Sequence, residues 1–259
     1  MDNVNNLEMF LKRDRGFVLA SLAGTTVIAW TYLASIAADM GTTSMDAMAM
    51  AQVAPWSVHD FWLMFIMWVV MMLGMMLPSA APMILLYATV QRRQQGRGHV
   101  FAPTGVFAVG YLLAWTAFSL VATAMQWVLE QASLLSPMMV STSPYLGGAL
   151  LIAAGIYQWT PLKHACLQNC RAPADFLSRS WRNGTGGAVA MGVHHGAYCI
   201  GCCWALMGLL FVAGVMNLLW VASITALVLI EKIASGGHLF ARIAGAMLVA
   251  AGFYMMFYI

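Results

Sequence analysis

The chain has 259 residues, of which 62% are hydrophobic and only 8% charged, with a formal net charge of +3. A soluble domain carries about 25% charged residues, so a water-covered surface is excluded. What remains is an all-α helical membrane bundle, with residues 1–259 as one integral membrane domain and little left over for an extramembrane one.

Apolar runs of about 20 residues, bounded by charges or turn signals, mark the spans. In chain order they are Phe17–Ala37, Phe61–Val90, Val106–Leu129, Met139–Trp159, Gly187–Ala213, Asn217–Ile230 and Leu239–Ile259. The second and fifth are too long for a straight crossing, and the second carries Pro78 and Pro82, which bend or break a helix. The sixth is short. The reading is about seven transmembrane helices, with six plus a re-entrant piece as the rival. The first run follows Lys12, Arg13 and Arg15 and ends at Ser35-Ile-Ala37, which imitates a signal peptide. It is longer than a signal core of about 7–15 residues, so it reads as an uncleaved anchor.

Basic residues set the orientation. Arg92, Arg93 and Arg97 follow span two; Lys163, Arg171, Arg179 and Arg182 follow span four; Lys232 follows span six and Arg242 opens span seven. The opposite loops hold only acidic charges, Asp39, Asp46, Asp60 and Glu130. The positive-inside rule then predicts a cytoplasmic N-terminus, an external C-terminus and a multi-pass protein of a bacterial inner membrane. The same rule accounts for the basic residues, so they give no reason to invoke nucleic acid.

The first external loop holds Met40, Met45, Met48 and Met50, with His59 just above span two. The Met45-x-x-Met48-x-Met50 spacing suits a thioether clamp for Cu(I), a soft ion matched to sulfur. A linker of unbranched apolar residues lying on the bilayer would look the same. In span two, Met64, Met67, Met71 and Met75 lie on one helical face, Met72 and Met76 form a second pair, and Met83 lies nearby. Methionine also fills irregular core space, so this stripe supports either packing or sulfur contact.

Span five carries the densest chemistry, Gly192-Val-His194-His195-Gly-Ala-Tyr-Cys199-Ile-Gly-Cys202-Cys203-Trp204. His195, Cys199 and Cys202 share a face, Cys203 extends it, and His194 points aside. Ionisable groups inside a bilayer are functional candidates by default, and thiolates with imidazoles select copper, with zinc or iron as alternatives. Depth arithmetic puts Met76 roughly 22 Å above the cytoplasmic end of span two, and Cys199 to Cys203 roughly 18–24 Å above that of span five. Thioethers and thiols therefore share one level. A second cluster, His164, Cys166 and Cys170, occupies the loop after span four as an incomplete metal site or a thiolate pair beside Arg171.

Four blocks carry a resemblance. They are Met71-Met72 through Pro78 and Pro82 to Tyr87; Tyr157-Gln158-x-x-Pro161-Leu-Lys163-x-x-Cys166-Leu-x-x-Cys170-Arg171-x-Pro173; Gly192-x-x-x-Gly196-x-x-Cys199-x-Gly201-Cys202-Cys203-Trp204-x-Leu206-Met207; and Gly214-Val-Met216-Asn217 with Glu231-Lys232. Together they resemble a bacterial family of predicted metal-binding integral membrane proteins, a domain of unknown function. The resemblance covers residues 57–259 and implies a bound metal. The anchor helix and Met-rich loop of residues 1–56 lie outside it, as does the pairing of His194 with His195.

No phosphate-cradling Gly-Lys-Ser/Thr loop and no Cys-x-x-Cys-His is present, and no catalytic residues are assigned. The expectation is binding, with transport or delivery, of copper, and partners comprising the lipid bilayer, the ion and a membrane complex or metallochaperone. Two alternatives stand beside it: an accessory or assembly subunit of a larger complex, and a thiol–disulfide oxidoreductase using Cys199/Cys202 and Cys166/Cys170.

Overall fold

The structure is a computed structural model that describes residues 2–42, 56–95, 103–136, 139, 141–234 and 236–258; side chains are described for 16–39 and 56–94 of the first two segments. Among these residues the regular structure is helical: α1 (Asp2–Thr42), α2 (Val58–Gln95), α3 (Thr104–Gln131), α4 (Pro144–Tyr157), α5 (Pro161–Arg171), α6 (Pro173–Ser180), α7 (Gly184–Gly208, with one further turn Leu210–Ala213), α8 (Leu218–Ile233) and α9 (Gly237–Tyr258). Met45, Met48 and Met50 lie outside the described residues.

Among the described residues, five helical stretches are long and apolar enough to cross a membrane: Gly16–Asp39, Val58–Gln94, Thr104–Gln131, Gly184–Ala213 and Gly237–Tyr258. Burial follows the pattern of a bundle in lipid. On α3, Leu113, Val121 and Met125 are exposed, whereas Ser119, Thr123 and Gln126 are fully buried. Gln126 is satisfied there by Trp68, whose Nε1 donates at 2.7 Å, and by donating to Glu130 at 2.9 Å.

The other two apolar runs yield shorter helices, of 14 residues in α4 and 16 in α8. Local chemistry sets the first of these lengths. Ser143 caps α4 by accepting from Leu146 N, with Pro144 at the first helical position. Thr160 caps α5 in the same way ahead of Pro161, so a new, polar helix begins where the apolar run ends. The chain therefore does not cross straight through after α4, and it folds α5 back against α7. The close of α7 is set by Gly214, whose φ of 96° only glycine adopts without strain.

Pro78 and Pro82 stay inside α2. Pro78 has no N–H to give the Gly74 carbonyl four residues earlier. Trp30 of α1 repairs this, donating its Nε1 to Gly74 O at 3.2 Å. Ala29 and Leu33 are buried beside it, which docks α1 on α2. The α3–α7 crossing is equally close: a methyl on Gly192 would meet the Phe107 carbonyl, and one on Gly196 would lie 2.6 Å from Ala114 Cβ. Small residues at such crossings let helix backbones touch.

Candidate metal centre

The centre lies about halfway along α2 and past the middle of α7. Cys199, Cys202 and Cys203 are 1–2% exposed and Met76 is fully buried. From α7, Cys203 Sγ reaches Met76 Sδ of α2 at 4.0 Å. From α5, the half-buried Cys170 is brought up to Cys199 and Cys202. Those two thiols, and then burial, push the Cys170 thiol well above its ordinary range. Four thiols and one thioether from three helices are thus neighbours through pairwise contacts.

Cys199 is the most heavily contacted sulfur. Lys232 Nζ of α8 lies 2.9 Å from it and also donates to Ser79 Oγ at 3.0 Å. Tyr111 OH of α3 lies 3.1 Å from the same sulfur and donates to the Met76 carbonyl at 3.2 Å. A buried ammonium against a sulfur is an ion pair for a thiolate. Cys202 and Cys203 instead donate to the Cys199 carbonyl, each at 3.0 Å.

A second buried charge pair stands alongside. Lys163 Nζ lies 2.6 Å from Glu231 Oε2, both side chains being 1–2% exposed, and Gln158 Nε2 donates to Glu231 Oε1 at 2.9 Å. Arg171 holds the end of α8 by donating to the carbonyls of Glu231 and Ala234. The adjacent acid and base Glu231 and Lys232 therefore serve different partners, one closing the α5–α8 joint and the other facing the sulfurs.

The remaining candidates are spread more widely. His195 is 3% exposed, packed among Phe107, Tyr111 and Phe176, and its Nδ1 has no hydrogen-bond partner. His194 turns outward against Phe176 and Tyr198 and lines an open polar cavity of about 360 Å³ with Arg179 and Arg182. Met71 and Met75 are buried in the core. His59 is exposed, its Nδ1 3.9 Å from Asp60. Cys166 fits the notch at Gly201, where an added methyl would lie 2.7 Å from its sulfur. His164 is half-buried and faces His238, with burial first and then its His238 neighbour lowering its pKa.

Among the described residues, no three His, Cys, Asp or Glu side chains stand as a ready ligand shell. The geometry gives the reason: Cys202 and Cys203 are turned to a backbone carbonyl, and Lys232 sits on Cys199. Thiol-to-carbonyl bonds are weak, so small side-chain rotations free these sulfurs for a soft ion. The donor set fits a cuprous ion far better than a hard cation. Tyr111 and Ser79 did not stand out in the sequence, and Lys232 stood there only as a basic residue beside Glu231 at the end of span six. The available signal was Glu231-Lys232 at the end of an apolar run, two charges that a membrane interior does not tolerate idly.

No curated protein and no solved structure matches the chain. A family model described as PpoB2, copper chaperone, matches residues 65–255. That stretch runs from α2 into α9 and takes in Met76, Tyr111, Cys170, the cysteines of α7 and Lys232, and on this match the chain belongs to the PpoB2 copper chaperone family.

Proposed function

We propose that the chain is a multi-pass protein of a bacterial inner membrane that carries Cu(I) as cargo on the buried sulfur cluster and hands it to an acceptor. The observation that carries this reading is the convergence of Cys170, Cys199, Cys202, Cys203 and Met76 from three helices. The orphan Nδ1 of His195 adds a nitrogen donor within the same core. Charge supports the reading as well. One cuprous ion on two thiolates leaves a net charge of about −1, and a buried charge needs a partner. Lys232 supplies that partner while touching Cys199.

In this reading the N-terminus is cytoplasmic and the chain crosses seven times, α4 lying in the fourth passage and α5 and α6 following it on the cytoplasmic side. Met45, Met48, Met50 and His59 gather copper outside, and the methionines of α2, Met71 and Met75 among them, lead it to the cluster. His194, His164 and Cys166 face the cytoplasmic acceptor, a metallochaperone or a membrane complex awaiting its metal.

The test is anaerobic purification with elemental analysis. Wild type is expected to retain copper, and a Cys199→Ser/Cys202→Ser/Cys203→Ser variant to lose it, because a hydroxyl replaces a soft donor with little change of size. Equal copper in a folded triple variant would reduce the cluster to packing. Reporter fusions after Asp46 and Glu130 should read as external, and after Arg93 and Arg179 as cytoplasmic.

A further inference from the structure

His238, at the start of α9, has no part in the centre described above. It is exposed, and its Nδ1 lies 3.3 Å from Nδ1 of the half-buried His164 on α5, the ring centroids 5.3 Å apart. Two nitrogens held about 2.0–2.1 Å from one ion at a tetrahedral angle are themselves about 3.3–3.4 Å apart. In this state one ring donates a hydrogen bond to the other, and an ion that replaces the shared proton would meet two nitrogens already at the spacing of ligands on one metal.

Position gives the pair a direction. Cys166 follows His164 by two residues, is half-buried, and sits against Gly201 and beside Cys202. His238, His164, Cys166 and Cys202 thus run from exposed through half-buried to fully buried. We propose that His164 and His238 form a second copper site, a surface docking point at which a cytoplasmic carrier exchanges Cu(I) with the sulfur cluster through Cys166. The identity of the ion rests on the reading of copper as cargo given above. Two protein ligands leave positions open for a donor from the carrier. The transfer is ligand exchange: metal–nitrogen bonds break as metal–sulfur bonds form, the ion stays Cu(I), and no electron moves.

The full-length protein in detergent, titrated anaerobically with Cu(I), distinguishes the two sites by copper stoichiometry and copper-edge X-ray absorption. Wild type is expected to bind one copper more per chain than His238→Ala, and that extra ion should show nitrogen ligands. The exposed position of His238 makes its replacement benign for folding. Cys199→Ser/Cys202→Ser/Cys203→Ser should keep the nitrogen-bound ion while losing the sulfur-bound one. Equal stoichiometry and equal nitrogen content in wild type and His238→Ala would overturn the docking site, leaving the sulfur-cluster reading untouched. Nitrogen-bound copper lost in His238→Ala, without any sulfur-bound copper in wild type, would uphold the pair and sink the cluster.

Discussion

Lys232 Nζ stands 2.9 Å from Cys199 Sγ, joining the only charged end of α8 to the most contacted thiol of α7. The contact links two elements whose sequence signals are far apart, and it sets the charge of the whole centre. Lys232→Met removes the cation while keeping an unbranched apolar stem. The bis-thiolate copper complex then loses its counter-charge, and Cu(I) affinity should fall at least about tenfold, or about 1.4 kcal/mol. In a double-mutant cycle with Cys199→Ser the two losses should not add, since both remove one pair. Competition against a cuprous chelator measures it, and independent, additive losses would show that Lys232 does not act through Cys199.

Much of this architecture was legible in the sequence for a simple reason. Lipid forces backbone bonds to close within each segment, so hydrophobic length and turn residues nearly dictate the helices. Depth arithmetic likewise put Met76 and the α7 cysteines at one height, and the thioether and thiol stand 4.0 Å apart. The folding back of α5 was less legible. Its polar sequence reads as a loop, yet Lys163 and Cys170 point inward from it to Glu231 and to the sulfurs. The loop cluster of His164, Cys166 and Cys170 is accordingly divided, Cys170 turning to α7 and His164 to His238. Such partners come from tertiary packing between α5, α8 and α9, which no local period encodes.

The Lys163–Glu231 pair should behave as a structural clamp. Removing one member of a buried ion pair strands the other and costs about 3–5 kcal/mol, whereas replacing both with apolar groups costs far less. Lys163→Met alone should therefore lower the thermal unfolding temperature in detergent sharply. Lys163→Met/Glu231→Leu should recover most of that loss. A double variant as unstable as the single would show that the loss does not come from stranding Glu231.

Trp30 and Gly74 make a smaller, more local prediction. The indole satisfies a carbonyl that Pro78 leaves free, in a segment with few other buried anchors. Trp30→Phe keeps the ring and loses the donor, at a cost of about 1 kcal/mol. Pro78→Ala restores the helix's own donor, so the combined variant should lose less than Trp30→Phe alone. Proteolytic release of the N-terminal helix in detergent is the readout, and unchanged release in Trp30→Phe would remove the bond from the account of α1 docking.

Met76 offers the sharpest separation between a copper carrier and a redox protein. Its thioether touches Cys203 and is fully buried, so Met76→Leu deletes a soft donor while preserving volume and apolarity. Such a swap costs stability about 1.5 kcal/mol or less, and the protein should insert and accumulate normally. A thioether can hold Cu(I) but cannot enter a disulfide. A carrier therefore needs Met76, and a thiol–disulfide enzyme does not. Met76→Leu should weaken copper binding and reduce activity of copper-dependent enzymes in the cell, as the triple cysteine variant does. The combined change Met64→Leu, Met67→Leu, Met71→Leu and Met75→Leu tests the rest of α2 and should slow delivery without emptying the sulfur cluster. Normal copper handling in Met76→Leu, together with a trapped mixed disulfide at Cys199 or Cys202, would assign these cysteines to redox chemistry.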